Sequence, residues 1–142
     1  MKISDIVALN LWPDSKKTTT QKGISELEDL GYNLFYIGKN ADLYTCPGVE
    51  PKVLLVRSDR CSVFDIPLNL LIDGKGVSQT TISNNGAEFA KEADIRTAIL
   101  SEKVDQTLNI APRCQLMELC KPLEAKVNGD VVQFELIFRN YL

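Results

Sequence analysis

The sequence predicts an α+β fold, a mostly antiparallel sheet with one or two helices. Three observations carry that expectation. Short apolar runs of strand length occur at residues 34–37, 43–46 and 53–56. An Asn128-Gly129 pair introduces a run over residues 132–138 with every second residue apolar. One longer stretch, residues 76–93, is spaced for a helix instead.

Taken in order, residues 1–33 read as a lead-in segment. Ile3, Ile6, Val7 and Leu9 are spaced for a short amphipathic turn, and residues 14–22 form a polar stretch without periodicity. Residues 23–30 suit a brief helix, with Gly31 where a C-terminal glycine cap belongs. The runs 34–37 and 43–46 flank residues 38–42 and predict a hairpin. Residues 53–56, bounded by Pro51 and the charged residues 57–60, predict a buried strand. The helix over 76–93 would use Val77, Thr80, Ile82, Ala87, Phe89 and Ala90 as its apolar face, although Gly86 weakens it. Residues 113–119 predict another strand. In the last strand Val132, Phe134, Leu136 and Phe138 share one face, while Gln133, Glu135, Ile137 and Arg139 share the other.

Composition excludes several classes of function. The 142 residues are 44% hydrophobic, enough for a core without staples, and carry a net charge of −3. With a pI near 5.0, non-specific nucleic-acid binding is not expected. There are no histidines, which removes Ser-His-Asp and Cys-His catalysis and His-ligated metals. Cys46, Cys61, Cys114 and Cys120 form no CxxC pair, so no metal site is assigned. No apolar run approaches a membrane span, and the N-terminus lacks a secretory pattern, so the expected location is the cytoplasm.

Three clusters could carry chemistry. Gly38-Lys39 at a hairpin tip lets backbone approach a ligand beside a positive charge, which serves a nucleotide phosphate; it equally describes an ordinary turn with a solvated lysine. The run Ser58-Asp59-Arg60-Cys61-Ser62-Val63-Phe64-Asp65 offers charge-assisted hydrogen bonds to a polar ligand, although composition alone favours a charged turn. Glu135 and Arg139, four apart on one strand face, lie roughly 13 Å apart along the strand, too far for a tight ion pair. They would hold two parts of one ligand or face water, with Lys75-Gly76 as a further candidate.

The order of these pieces resembles the SAICAR synthetase family, the phosphoribosylaminoimidazole-succinocarboxamide synthases. Gly38-Lys39-Asn40-Ala41-Asp42-Leu43-Tyr44 is similar to that family's GKxKxxY hairpin, and the run from Ser58 to Asp65 to its SDRxSxFD segment. Gly74-Lys75-Gly76 with Thr80 and Ser83 resembles its GKGxxxTxxS helix start. Met117-Glu118-Leu119 resembles the strand entering its hinge, and Glu135 to Leu142 its VEfvvRgYL strand. The resemblance covers residues 34–142 and leaves 1–33 without a counterpart. It implies the family's N-terminal, ATP-grasping and kinase-lobe-like half.

The resemblance also implies an activity, the ATP-dependent joining of L-aspartate to carboxyaminoimidazole ribonucleotide in purine biosynthesis. ATP and Mg²⁺ are the implied cofactors. Small-molecule substrates are the implied partners, with neither nucleic acid nor membrane; homo-oligomerisation stays open. Gly38, Lys39, Met117, Glu118 and Leu119 would bind ATP. Asp59, Arg60, Ser62, Lys75 and Arg139 would bind the nucleotide substrate. Ala41 replaces the second lysine of the hairpin motif, and family members continue into a C-terminal domain expected to hold the metal ligands. The expectation is therefore a chain inactive by itself. The alternative is a short paralogue that binds a nucleotide or a partner without catalysis.

Overall fold

The computed structural model describes residues 21–48, 52–63 and 66–119. The expected turn at 127–130, the strand over 132–138, Arg139 and the amphipathic turn near the N-terminus lie outside them. The order is α1 (Gln21–Asp29), β1 (Asn33–Ile37), β2 (Ala41–Thr45), β3 (Lys52–Arg57), β4 (Arg60–Val63) and β5 (Ile66–Leu71). Then come α2 (Lys75–Glu92), a 3₁₀ turn (Ala111–Arg113) and β6 (Cys114–Glu118). Among the described residues β1-β2-β3-β6 form one antiparallel sheet in that order, and β4-β5 a separate hairpin.

Strand register sorts the sheet into two faces. Asp42 pairs with Val56 and Val56 with Cys114, while Tyr44 pairs with Leu54 and Leu54 with Leu116, so these six share one face. Five of them join Ile24 and Leu27 of α1 with Val104, Ile110 and Ala111 in the core. The sixth, Asp42, is a buried carboxylate at the margin of that core. The opposite face carries Leu43, Leu55 and Gln115 in one row and Thr45, Val53 and Met117 in the next. There α2 attaches through Gln115, whose amide donates to Asn84 Oδ1 at 2.7 Å while its oxygen accepts from Arg57.

The lead-in expected at 1–33 contributes to the fold from Gln21 onward, since Leu27 is fully buried and Glu26 accepts from the amide and side chain of Asn109. Gly31 is the predicted cap. At φ 83° it gives its N–H to Glu28 O while Tyr32 N–H reaches Leu27 O, the pair of bonds that closes a helix with a left-handed residue. The same closure ends α2, with Asp94 at φ 57° in the glycine's place: Asp94 N–H meets Lys91 O and Ile95 N–H meets Ala90 O.

Two expectations need correction. The polar run from Ser58 is not merely a turn, because β4 and β5 form a hairpin there. The face assigned to the long helix is right in part: Thr80 is buried and Val77, Ala87 and Ala90 are half-buried, but its two largest residues point outward. Its buried positions are Gly76 and Thr80, whereas Ile82 and Phe89 are 72% and 71% exposed. Small residues let the helix approach the sheet so closely that a Cβ on Gly76 would stand 2.6 Å from Arg57 O. Among the described residues no helix is long and apolar enough to cross a membrane.

Candidate functional site

The polar end of the sheet is built by three segments distant in sequence. The first is the β1–β2 tip, Gly38-Lys39-Asn40. Strand pairing resumes at Ala41, so the loop is shorter than the expected 38–42. Gly38 N–H donates to Ala41 O at 2.9 Å and closes the turn. A Cβ on Gly38 would lie 2.8 Å from that carbonyl oxygen, so the tight closure requires glycine. Lys39 is exposed at the apex.

The second segment follows β3, where Ser58, Asp59 and Arg60 are all buried. Arg60 Nη2 pairs with Asp42 Oδ1, and both side chains are 1% exposed. Asp59 uses both oxygens: Oδ1 accepts from Gly76 N–H at 2.8 Å, and Oδ2 pairs with Arg113 Nη1 at 3.1 Å. Gly74, at φ 75°, gives α2 no side-chain cap, and Asp59 supplies from another element the acceptor a capping residue would provide. Ser58 Oγ and Arg60 Nε and Nη1 are buried without a hydrogen-bond partner.

The third segment is the start of α2. Lys75 Nζ donates to Asn40 Oδ1 at 2.9 Å and to the Arg60 carbonyl. Ser58 N–H donates to Asn40 O at 2.8 Å. Hairpin tip, β3–β4 corner and helix start are thus tied together by hydrogen bonds.

These contacts place most of the predicted residues. Gly38, Lys39, Asp59, Arg60 and Lys75 converge on one end of the sheet. Ser62 is half-buried on β4, opposite Pro67. Met117 and Glu118 belong to β6 and Leu119 follows it; Glu118 is occupied twice, its N–H by Ala98 O at 2.8 Å and its carboxylate by Arg96. Sequence reasoning missed Asn40, Asp42 and Arg113, whose roles depend on contacts with residues far along the chain. The Asn-Ala-Asp run beside Gly38-Lys39 was the available signal for the first two.

Burial shapes the ionisable groups nearby. It pushes the Tyr44 hydroxyl up to about 12, with the Asp42 charge adding to the effect. The Cys114 thiol, buried beneath the sheet, is likewise pushed up to about 12. Both groups are thereby held more firmly in their neutral forms. Among the described residues no group of His, Cys, Asp and Glu could hold a metal ion. Asp42 and Asp59 each face an arginine and, with Asp73 before the helix start, form no group that fits a Mg²⁺ cage among the described residues.

A cavity of about 420 Å³ lies elsewhere, between the C-terminal half of α2, residues 95–106 and β6. It touches none of the predicted site residues. Much of its polar lining is already paired, Arg96 with Glu118, Glu102 with Lys52 and Gln115 with Asn84. The converging motifs therefore mark the candidate site, and the cavity does not.

A short antiparallel sheet, with a helix whose start is bonded to a Gly-Lys hairpin tip, defines a lobe of α+β type. A family model for SAICAR synthetase matches residues 34–142, and the chain belongs to that family. It is 31% identical over 118 residues to the phosphoribosylaminoimidazole-succinocarboxamide synthase of Desulfotalea psychrophila. That match takes in 78% of this chain but 36% of the relative, so the chain spans about a third of the relative's length. Two solved structures share the fold. One is a SAICAR synthase from Saccharomyces cerevisiae complexed with SAICAR, and the other a SAICAR synthase. Each has a TM-score of 0.52 and 20% identity, over 61% of this chain and 33% of the other.

Proposed function

We propose that this chain forms the ATP-phosphate-holding lobe of a SAICAR synthetase and contributes to joining L-aspartate to carboxyaminoimidazole ribonucleotide, in the cytoplasm. The observation that carries the proposal is the convergence of three family motifs at one end of the sheet. In the proposed reaction a substrate carboxylate oxygen attacks the γ-phosphorus of ATP and ADP leaves. The aspartate amine then attacks the acyl carbon, phosphate departs and the nitrogen loses a proton. Such chemistry depends on positioning and charge neutralisation, and needs no histidine.

In this reading Lys39 reaches the ATP phosphates from the tip while Gly38 lets the backbone come close. Since Glu118 N–H is already bonded, contacts to the adenine fall to the Glu118 carbonyl and to Leu119 beside Met117. Asp59 and Arg60 act from behind the surface, fixing its shape through Gly76, Arg113 and Asp42. Ser62 and Arg139 remain the proposed contacts to the nucleotide substrate. Mg²⁺, when bound with ATP, would supply charge neutralisation for the phosphates, and in this reading its carboxylate ligands belong to the part of the family's enzymes that this chain does not match. By itself the 142-residue chain is expected to bind nucleotide without forming product.

Titration of the chain with Mg²⁺ and ATP, followed by amide NMR, tests the proposal. Saturable shifts confined to residues 38–40 and 117–119 support it. Their absence at millimolar nucleotide, or detectable product from the chain alone, overturns the corresponding part.

A further inference from the structure

Lys75 is the first residue of an 18-residue helix that has no acidic side chain in its first turn. A cation at that end opposes the helix dipole, and the ordinary choice there is Asp or Glu. Its ammonium nevertheless reaches away from the helix to two oxygens, Asn40 Oδ1 and the Arg60 carbonyl. Asn40 is itself held twice, through that side-chain oxygen and through its carbonyl, which accepts Ser58 N–H at 2.8 Å. The exposed tip on the outer hairpin of the sheet is thus fastened to two other elements at the residue next to Lys39.

We infer that Asn40 and Lys75 form a clamp that sets the position of the hairpin tip, and that Lys75 is a positioning residue for Lys39 and not itself a ligand of the substrate. An ammonium has three N–H donors, and the protein takes two of them. The clamp explains the helix-start lysine: an acidic residue would suit the dipole but leave Asn40 Oδ1 and the Arg60 carbonyl without this donor. The consequence for Lys39 rests on the function proposed above, whereas the clamp itself does not.

Amide hydrogen exchange of the full chain reads the clamp directly, through Gly38 N–H, which closes the turn, and Ser58 N–H, which holds Asn40. Asn40→Ala and Lys75→Met should each speed exchange at both amides by about fivefold or more, while Leu54 and Leu116 amides keep wild-type rates. The same variants should weaken binding of Mg²⁺ with ATP by a similar factor, and Lys75→Arg should restore much of both. Lys39→Met should weaken nucleotide binding without changing exchange. Unchanged exchange at Gly38 and Ser58 in both variants overturns the clamp. Faster exchange with unchanged ATP affinity overturns the positioning role. If the wild-type chain ignores ATP while the two variants exchange faster at these amides, the clamp stands and the proposed function falls.

Discussion

One substitution made twice in the same helix tests how α2 is mounted. Glycine within a helix normally costs about 0.8–1 kcal/mol relative to alanine, so Gly→Ala should stabilise wherever space permits. At Gly86 nothing lies within 4 Å of an added Cβ, and Gly86→Ala should gain roughly that amount. At Gly76 the Cβ would stand 2.6 Å from Arg57 O and 3.0 Å from Arg57 C. That is nearly an ångström inside the ~3.5 Å at which nonbonded atoms rest. Backbone cannot swing aside like a side chain, so the helix start must lift. Overpacking of this kind costs about 1–3 kcal/mol. Lifting also stretches the Gly76 N–H bond to Asp59, a hydrogen bond to a charged group worth about 1.5–3 kcal/mol. Subtracting the propensity gain leaves a net loss of about 1.5–5 kcal/mol, and because that gain is common to both variants they should differ by about 2.5 kcal/mol or more. Urea unfolding with an unchanged slope is the assay, and roughly 3 °C in Tm per kcal/mol is the thermal equivalent. A Gly76→Ala chain as stable as wild type would refute the close mounting of α2 on β3.

Four further outcomes follow from the same structure. Arg60→Met, which leaves Asp42 buried without its arginine, should cost about 3–5 kcal/mol in urea unfolding, and adding Asp42→Leu should recover a large part. Stability should decline in alkali: the folded state keeps protons on Cys114 and Tyr44, both pushed up to about 12, that the unfolded chain releases near 9 and 10. The decline should begin above pH 9, deepen above pH 10 and level near 12, and Cys114→Ala should shrink its first stage, to which Cys46, also pushed up by burial, contributes the rest. Asp94→Gly, at φ 57°, should raise stability by about 0.5–1 kcal/mol in the same assay, since glycine is the residue that this helix closure prefers. In the complete enzyme Arg139→Ala should weaken the nucleotide substrate by about 1.5–3 kcal/mol if it holds a substrate anion, and an unchanged KM and kcat would sink that assignment.

What the sequence made legible was what local chemistry decides. Gly31 is a helix cap because a left-handed position needs no side chain, and residues 53–56 form a buried strand because little else suits a short branched apolar run between a proline and charges. Hairpin and long helix were likewise readable from period and punctuation, although the helix began a residue earlier, at Lys75. The helix's orientation was not readable. Its contact face is made of smallness and polarity, Gly76, Thr80 and Asn84, so the larger apolar residues pointed to the wrong side. The run from Ser58 misled for a related reason. Asp59 and Arg60 look solvent-seeking until Gly76, Arg113 and Asp42 are brought beside them from 17, 54 and 18 positions away.

Those inward charges say more about geometry than about stability. A buried ion pair such as Asp42–Arg60 gains little over an apolar pair of the same size, because desolvation offsets most of the attraction. An apolar pair, however, is indifferent to small sliding and rotation. A guanidinium meeting a carboxylate tolerates little of either, and the Asp59 carboxylate held between a helix amide and Arg113 tolerates still less. The chain places its directional bonds where β2, the β3–β4 corner, α2 and the 3₁₀ turn converge, and leaves its non-directional packing to the apolar core under α1. A lobe proposed to hold phosphates by position needs that division. Loosening the apolar end costs stability alone, whereas loosening the polar end moves Lys39.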